Sequence, residues 1–131
     1  MKPECYISGP VTGTTDYIER FKKAEAIVRE YKWEPINPVA VNALLPSDTS
    51  WIEYMKMSLE MLTRKNCAAI LMLKGWENSR GARIEREIAI GLGYTILYEE
   101  HNGWIYSVLK EHMRNKGEVT DASQESDNLD R

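Results

Sequence analysis

Seven consecutive apolar residues, Cys67 to Leu73, lead through Lys74 into Gly75-Trp76-Glu77-Asn78-Ser79-Arg80-Gly81-Ala82-Arg83-Ile84-Glu85 and a helical pattern that runs to about Leu92. An unbroken run of that length is a strand buried on both faces, the kind found inside parallel sheets. Ser79 is placed as a helix N-cap, with Gly91 and Gly93 as stop signals. At about 100° per residue, Gly81, Ala82, Ile84, Ile88, Ala89 and Leu92 fall on one side of the helix, and Arg80, Arg83, Arg86 and Glu87 on the other. Glu85 lands in the middle of the apolar side. A carboxylate there loses water, so it needs a charge or hydrogen-bond partner, a raised pKa or a ligand. A glutamate paired to a neighbouring arginine, or snorkelling from a half-buried face, would satisfy the same pattern. The N-terminal end of a helix after a parallel strand is also where open α/β sheets place ligands.

The rest of the chain repeats this unit. Glu4 to Ser8 reads as a strand entering the turn Gly9-Pro10-Val11-Thr12-Gly13, followed by a helix from about Asp16 to Tyr31, with Asp16 and Glu19 spaced as a capping box. The two glycines match neither GxGxxG nor a P-loop, so dinucleotide or ATP binding is unsupported. Trp33 to Ile36 reads as a second strand ended by Asn37-Pro38. Val39 to Thr49 is expected to be a loop with a turn of helix, and long loops in compact domains often face ligands. Ser50 and Glu53 form a second capping-box pattern at the head of a helix to about Lys65, with Ser58 inside its apolar face. Tyr94 to Tyr98 is a further strand, and a last helix is expected over Trp104 to Arg114. The order β-α-β-α-β-α-β-α calls for a parallel sheet with helices on both faces. Right-handed crossovers would set the ends of the first and third strands side by side, so the Gly9–Gly13 turn and the Trp76–Glu85 stretch should face one cleft.

Composition narrows the possible functions. With 131 residues, 43% of them hydrophobic, the chain is expected to be one domain over residues 1–115 with a disordered acidic tail over 116–131. A net charge of −3 and the lack of a basic stripe give no reason to expect a nucleic acid polymer as partner. Cys5 and Cys67 sit in apolar runs as small hydrophobes, and no Cys/His spacing suggests a metal. Neither a signal peptide nor a membrane span is recognisable, so a reduced, cytoplasmic protein is expected. His101 and His112 have no partner spacing and are assigned no chemistry.

Tyr6-Ile7-Ser8-Gly9-Pro10-Val11-Thr12-Gly13, Asn37-Pro38, Trp51 with Tyr54-Met55, and Gly75 to Ala82 through Glu85 resemble the small bacterial and phage proteins grouped as DUF4406. That group is similar to the nucleoside 2-deoxyribosyltransferases and the related nucleoside 5′-monophosphate N-glycosidases. The resemblance covers nearly all of residues 4–98, and Ser-x-Gly-x-x-x-Glu is its most specific part. It implies a single-domain, flavodoxin/Rossmann-like parallel sheet of four to five strands, and a glutamate nucleophile, here Glu85, that attacks an anomeric carbon in the manner of a retaining glycosidase. By the same resemblance Tyr6 touches the sugar or orients Glu85. Ser8, Gly9 and Gly13, with neighbouring Pro10, line the base or phosphate side. Ser79 and Gly81 bind the 5′ end, Asn37 and Ser58 belong to the binding set, and Trp76 either stacks on a base or covers a loop by packing alone. The implied partner is a small nucleoside or nucleotide, with no cofactor, no metal and no membrane, in a homodimer or higher homo-oligomer. One departure stands out. The resembling enzymes carry an aspartate where Ser58 lies, and often another at Asn66, and a serine is no acid near neutral pH. That departure supports an alternative, a catalytically impaired protein that binds and sequesters a nucleotide or an ADP-ribose derivative.

Overall fold

The computed structural model describes residues 2–11 and 13–99, and the backbone of 105–107. Strand β1, Glu4–Ser8, feeds helix α1, Tyr17–Glu30, which returns to strand β2, Glu34–Ile36. Helices α2, Pro38–Asn42, and α3, Trp51–Leu62, precede strand β3, Cys67–Met72. A single 3₁₀ turn, Trp76–Asn78, leads to helix α4, Arg80–Gly91, strand β4, Thr95–Glu99, and a short strand β5, Ile105–Ser107. The sheet order is β2-β1-β3-β4-β5. The first four strands are parallel, and β5 runs antiparallel to β4 at the edge.

The pleat sorts the core into two layers. Alternate residues of a strand point to opposite faces. Cys5 and Ile7 therefore pack with Ala69, Leu71 and Leu97 against Phe21, Ala24 and Val28 of α1. Tyr6 packs on the other face with Ile70, Met72 and Ile96, against Leu62 of α3 and Ala82 and Ala89 of α4. Burying a Leu, Ile or Phe of this kind contributes about 1.5–3 kcal/mol. Helices thus cover both faces, as the element order requires. The chain passes to opposite sides after β1 and after β3, which are neighbours, and a crevice opens between their C-terminal ends.

Local capping follows the sequence in most places. Ser50 and Glu53 form the reciprocal capping box of α3, and the Ser79 hydroxyl accepts the Ala82 N–H at the head of α4. Asn37 caps α2, whose first residue is Pro38. The capping box expected at Asp16 and Glu19 does not form, because Asp16 makes no side-chain cap hydrogen bond. Gly91 lies inside α4, and the left-handed residue after its end is Gly93, at φ 79°. The expected last helix is corrected at Ile105–Ser107, which form β5. The edge of β4 would present unpaired N–H and C=O groups, and an antiparallel backbone pairing with residues 105–107 satisfies them. The remainder of that expected helix, the tail, His101 and His112 lie outside the described residues.

Gly9, just beyond β1, is held against β3. The Leu73 N–H donates to the Ser8 carbonyl at 2.8 Å, and a Cβ on residue 9 would meet the Leu73 Cβ at 2.8 Å. Real Cβ atoms do not approach so closely, so a side chain there would pry apart the strands that carry the crevice. Gly9→Ala is expected to cost about 1–3 kcal/mol in urea or thermal unfolding. An unchanged melting temperature would show that the strand ends yield freely.

Candidate active site

Helix α4 buries Ala82, Glu85 and Ala89 along one stripe. The two alanines let the helix lie close to the sheet, and Glu85 between them reaches the end of β1. Tyr6 and Ser8, two apart in that strand, point to the same face. The Tyr6 hydroxyl donates to Glu85 Oε2 and the Ser8 hydroxyl donates to Glu85 Oε1, each at 2.6 Å. Those lengths belong to charge-assisted O–H···O⁻ bonds. Each carboxylate oxygen thus holds one neutral donor.

Glu85 is 6% exposed, and among the described residues it forms no ion pair. The arginines of α4 are engaged elsewhere. Arg80 lies over the Trp51 ring, Arg83 donates to the Ser79 carbonyl, and Arg86 stacks on Trp76 and donates to the Tyr98 hydroxyl. The pairing of Glu85 with an arginine, open from the sequence, is replaced by pairing with hydroxyls. Burial pushes the Glu85 carboxyl up from 4.5 to about 7, with the Ser8 and Tyr6 bonds offsetting part of that rise. Burial likewise raises the Tyr6 phenol well above its ordinary value, reinforced by the Glu85 charge, while Ser58 pulls it down.

This carboxylate sits on the wall of a cleft of about 370 Å³, a size suited to a small molecule. The cleft brings together Tyr6, Ser8, Gly9, Ser58, Ser79, Gly81 and Glu85. Gly81 is fitted closely: a Cβ there would meet the Met55 sulfur at 3.1 Å. Four expected residues lie outside its lining. Trp76 packs against Tyr98, their ring centroids 6.0 Å apart. Asn37 donates to Glu25 at 2.8 Å while capping α2. Pro10 abuts Gly75, and Gly13 faces open space. Of the described residues of that turn, Gly9 and Val11 reach the cleft.

Other cleft residues were given no site role from sequence. Trp51, Tyr54 and Met55, part of the family pattern, form one wall, with Trp51 38% exposed. Tyr17 and Asn42 also line it. The one signal for Asn42 was its place in a long interelement segment. Among the described residues no group of three or more His, Cys, Asp or Glu could hold a metal ion, and no helix is long and apolar enough to cross a membrane.

Comparison with known families matches residues 3–98 to the Domain of unknown function (DUF4406). The chain belongs to the DUF4406 family. The match takes in every residue that lines the cleft, so cleft and family domain coincide, with β5 beyond it. No curated protein and no solved structure matches this DUF4406 chain.

The Glu85 environment couples stability to pH. Its folded pKa lies above the ordinary value, so the stability it contributes is full below about 4.5 and is lost as pH rises through about 7. Glu85→Gln removes the buried charge and the loss with it. In thermal melts its advantage over the wild type should grow from near zero at pH 4 to roughly 3 kcal/mol at pH 8. A difference flat with pH would mean that Glu85 titrates as an ordinary carboxyl.

Proposed function

We propose that this protein breaks the N-glycosidic bond of a nucleoside or nucleotide, by transfer or hydrolysis, with Glu85 as the nucleophile. The observation that carries the reading is the buried carboxylate held by two hydroxyls at 2.6 Å, with no cation paired to it among the described residues. A cation would quench its nucleophilicity, whereas two neutral donors aim it and leave its lone pairs available. Deoxyribosyltransferase-like chemistry fits that arrangement.

In the proposed step a Glu85 oxygen bonds to the anomeric carbon as the C–N bond breaks, and the bonding electrons leave with the base, which takes up a proton. Water or a second base then attacks the same carbon and releases the carboxylate. Tyr17, Trp51 and Tyr54 offer aromatic walls for a base. The head of α4, beside Ser79, suits the oxygens of a sugar or a 5′-phosphate.

A specific observation favours a second reading. Glu85 is the only carboxylate lining the cleft among the described residues, and Ser58 stands where the resembling enzymes have an aspartate. Without a second carboxyl to protonate the leaving base, turnover favours good leaving groups. If no substrate is good enough, the protein binds and sequesters a nucleotide or an ADP-ribose derivative.

The test is incubation with ribo- and deoxyribonucleosides, their 5′-monophosphates and NAD, with free acceptor bases, read by chromatography. Base release or exchange should fall roughly 10³-fold or more in Glu85→Ala. Tight binding without release over hours would support the sequestering protein instead. Because the nucleophile works as the carboxylate, kcat/KM should rise with pH through an apparent pKa of about 7. Tyr6→Phe removes a donor that lowers the Glu85 pKa, so it should move that rise to higher pH. A profile unmoved by Tyr6→Phe would separate Tyr6 from Glu85 in function.

A further inference from the structure

Among the described residues the lining of the cleft carries one ionisable charge, and it is negative. Glu85 is the only carboxylate there, and no lysine, arginine or histidine lines the cleft with it. At 6% exposure that charge is poorly screened, so it attracts a cation and repels an anion more strongly than it would in water. Aromatic rings add to the same preference, because the face of a π system is negative. Tyr17 and Tyr54 line the cleft half-buried, and among the described residues no guanidinium or ammonium lies over either ring. Trp51, one turn from Tyr54 on α3, already has the Arg80 guanidinium 4.4 Å from its ring centroid, although Arg80 itself is not part of the lining. Proton accounting leads to the same ligand. A neutral base that leaves a sugar carries off the bonding pair and needs a proton. Glu85 cannot supply one while it acts as the nucleophile. The other polar side chains of the lining are hydroxyls and the Asn42 amide, and none of these is an acid near neutral pH. Tyr6 is further disabled, since its hydrogen is given to Glu85 Oε2.

We propose that the ligand of this cleft is a cationic N-glycoside, of the pyridinium or N-alkylpurinium type, whose positive charge lies on the ring that holds the glycosidic nitrogen. Glu85 and the faces of Tyr17 and Tyr54 select the charge, and the charge removes the need for an acid. A Glu85 oxygen bonds to the anomeric carbon as the C–N bond breaks. The bonding pair goes to the aglycone ring and cancels its positive charge, so the aglycone leaves as a neutral molecule with no proton transferred. Water then attacks the same carbon, gives its proton to the solvent and frees the carboxylate. This class of substrate rests on the glycosidic reading above for its chemical step; the charge preference of the cleft does not.

The test has a binding arm and a turnover arm. Calorimetry compares carbocyclic nicotinamide riboside with its carbocyclic benzamide counterpart, each as the nucleoside and as the 5′-monophosphate. The two differ in one ring atom, a charged nitrogen against a carbon, and neither has the sugar ring oxygen that supports cleavage. The wild type should bind the cationic member about tenfold or more tightly. Glu85→Gln, which keeps the shape and removes the charge, should lose most of that preference. Tyr17→Leu and Tyr54→Leu should each reduce it, whereas Tyr17→Phe and Tyr54→Phe, which keep the ring, should retain it. Should a leucine variant fail to fold, Glu85→Gln carries the expectation. Turnover is then read with nicotinamide riboside and 7-methylguanosine, which separate the pyridinium from the purinium source, against adenosine and guanosine, again with the 5′-monophosphates. Each rate is divided by the uncatalysed rate of the same compound, and at least one cationic substrate should show the larger enhancement. Equal or weaker binding of the cationic member, or a preference unchanged in Glu85→Gln and in both leucine variants, overturns the inference. Neutral nucleosides enhanced as much as the cationic ones overturn it too, and leave the glycosidic reading intact. A cation preference in a protein that releases no aglycone sustains the charge of the ligand while the enzymatic reading fails.

Discussion

A carboxylate taken out of water and given only hydroxyls in return governs much of this fold. Glu85 at 6% exposure pays a desolvation penalty that the two bonds from Tyr6 and Ser8 offset only in part, and its carboxyl settles near 7. Holding those bonds at 2.6 Å requires α4 to lie close on the sheet. Ala82 and Ala89, one turn to either side, provide that closeness. It also requires β1 to present two hydroxyls on one face, which residues 6 and 8 do through the two-residue period of a strand. Gly9 completes the requirement by letting the end of β1 run against Leu73.

The surroundings keep the carboxylate available. Three arginines share its helix, yet each is held by another group: Arg80 by the Trp51 face, Arg83 by a backbone carbonyl, and Arg86 by Trp76 and Tyr98. Stacking on aromatic rings satisfies a guanidinium without a carboxylate. Ser58 and Asn42 line the cleft beside Tyr6 without adding charge. The site is therefore polar and directional, with one group in it that titrates near neutrality.

Much of the fold was legible in the residues. The Cys67–Leu73 run, the Ser50 and Ser79 caps and the alternation of strands with helices each state a local preference, and tertiary contacts reinforced it. The inward position of Glu85 followed from helical period alone. Where the reading failed, a non-local partner outweighed a local pattern. The free edge of β4 drew Ile105–Ser107 into a strand, and Trp76 was taken up by Tyr98 and Arg86 rather than by the cleft. Asn37 had a cap and a glutamate to satisfy, which turned it from the site.

The sequence by itself determined the elements, their order and the anomaly of a carboxylate on an apolar stripe, because these depend on periodicity and capping within a few residues of chain. Only the tertiary structure decided what that carboxylate meets. Its donors lie 79 and 77 positions away in the chain. Hydrogen-bond direction is a property of the assembled network, since each hydroxyl has one proton to give and its neighbours determine where that proton goes.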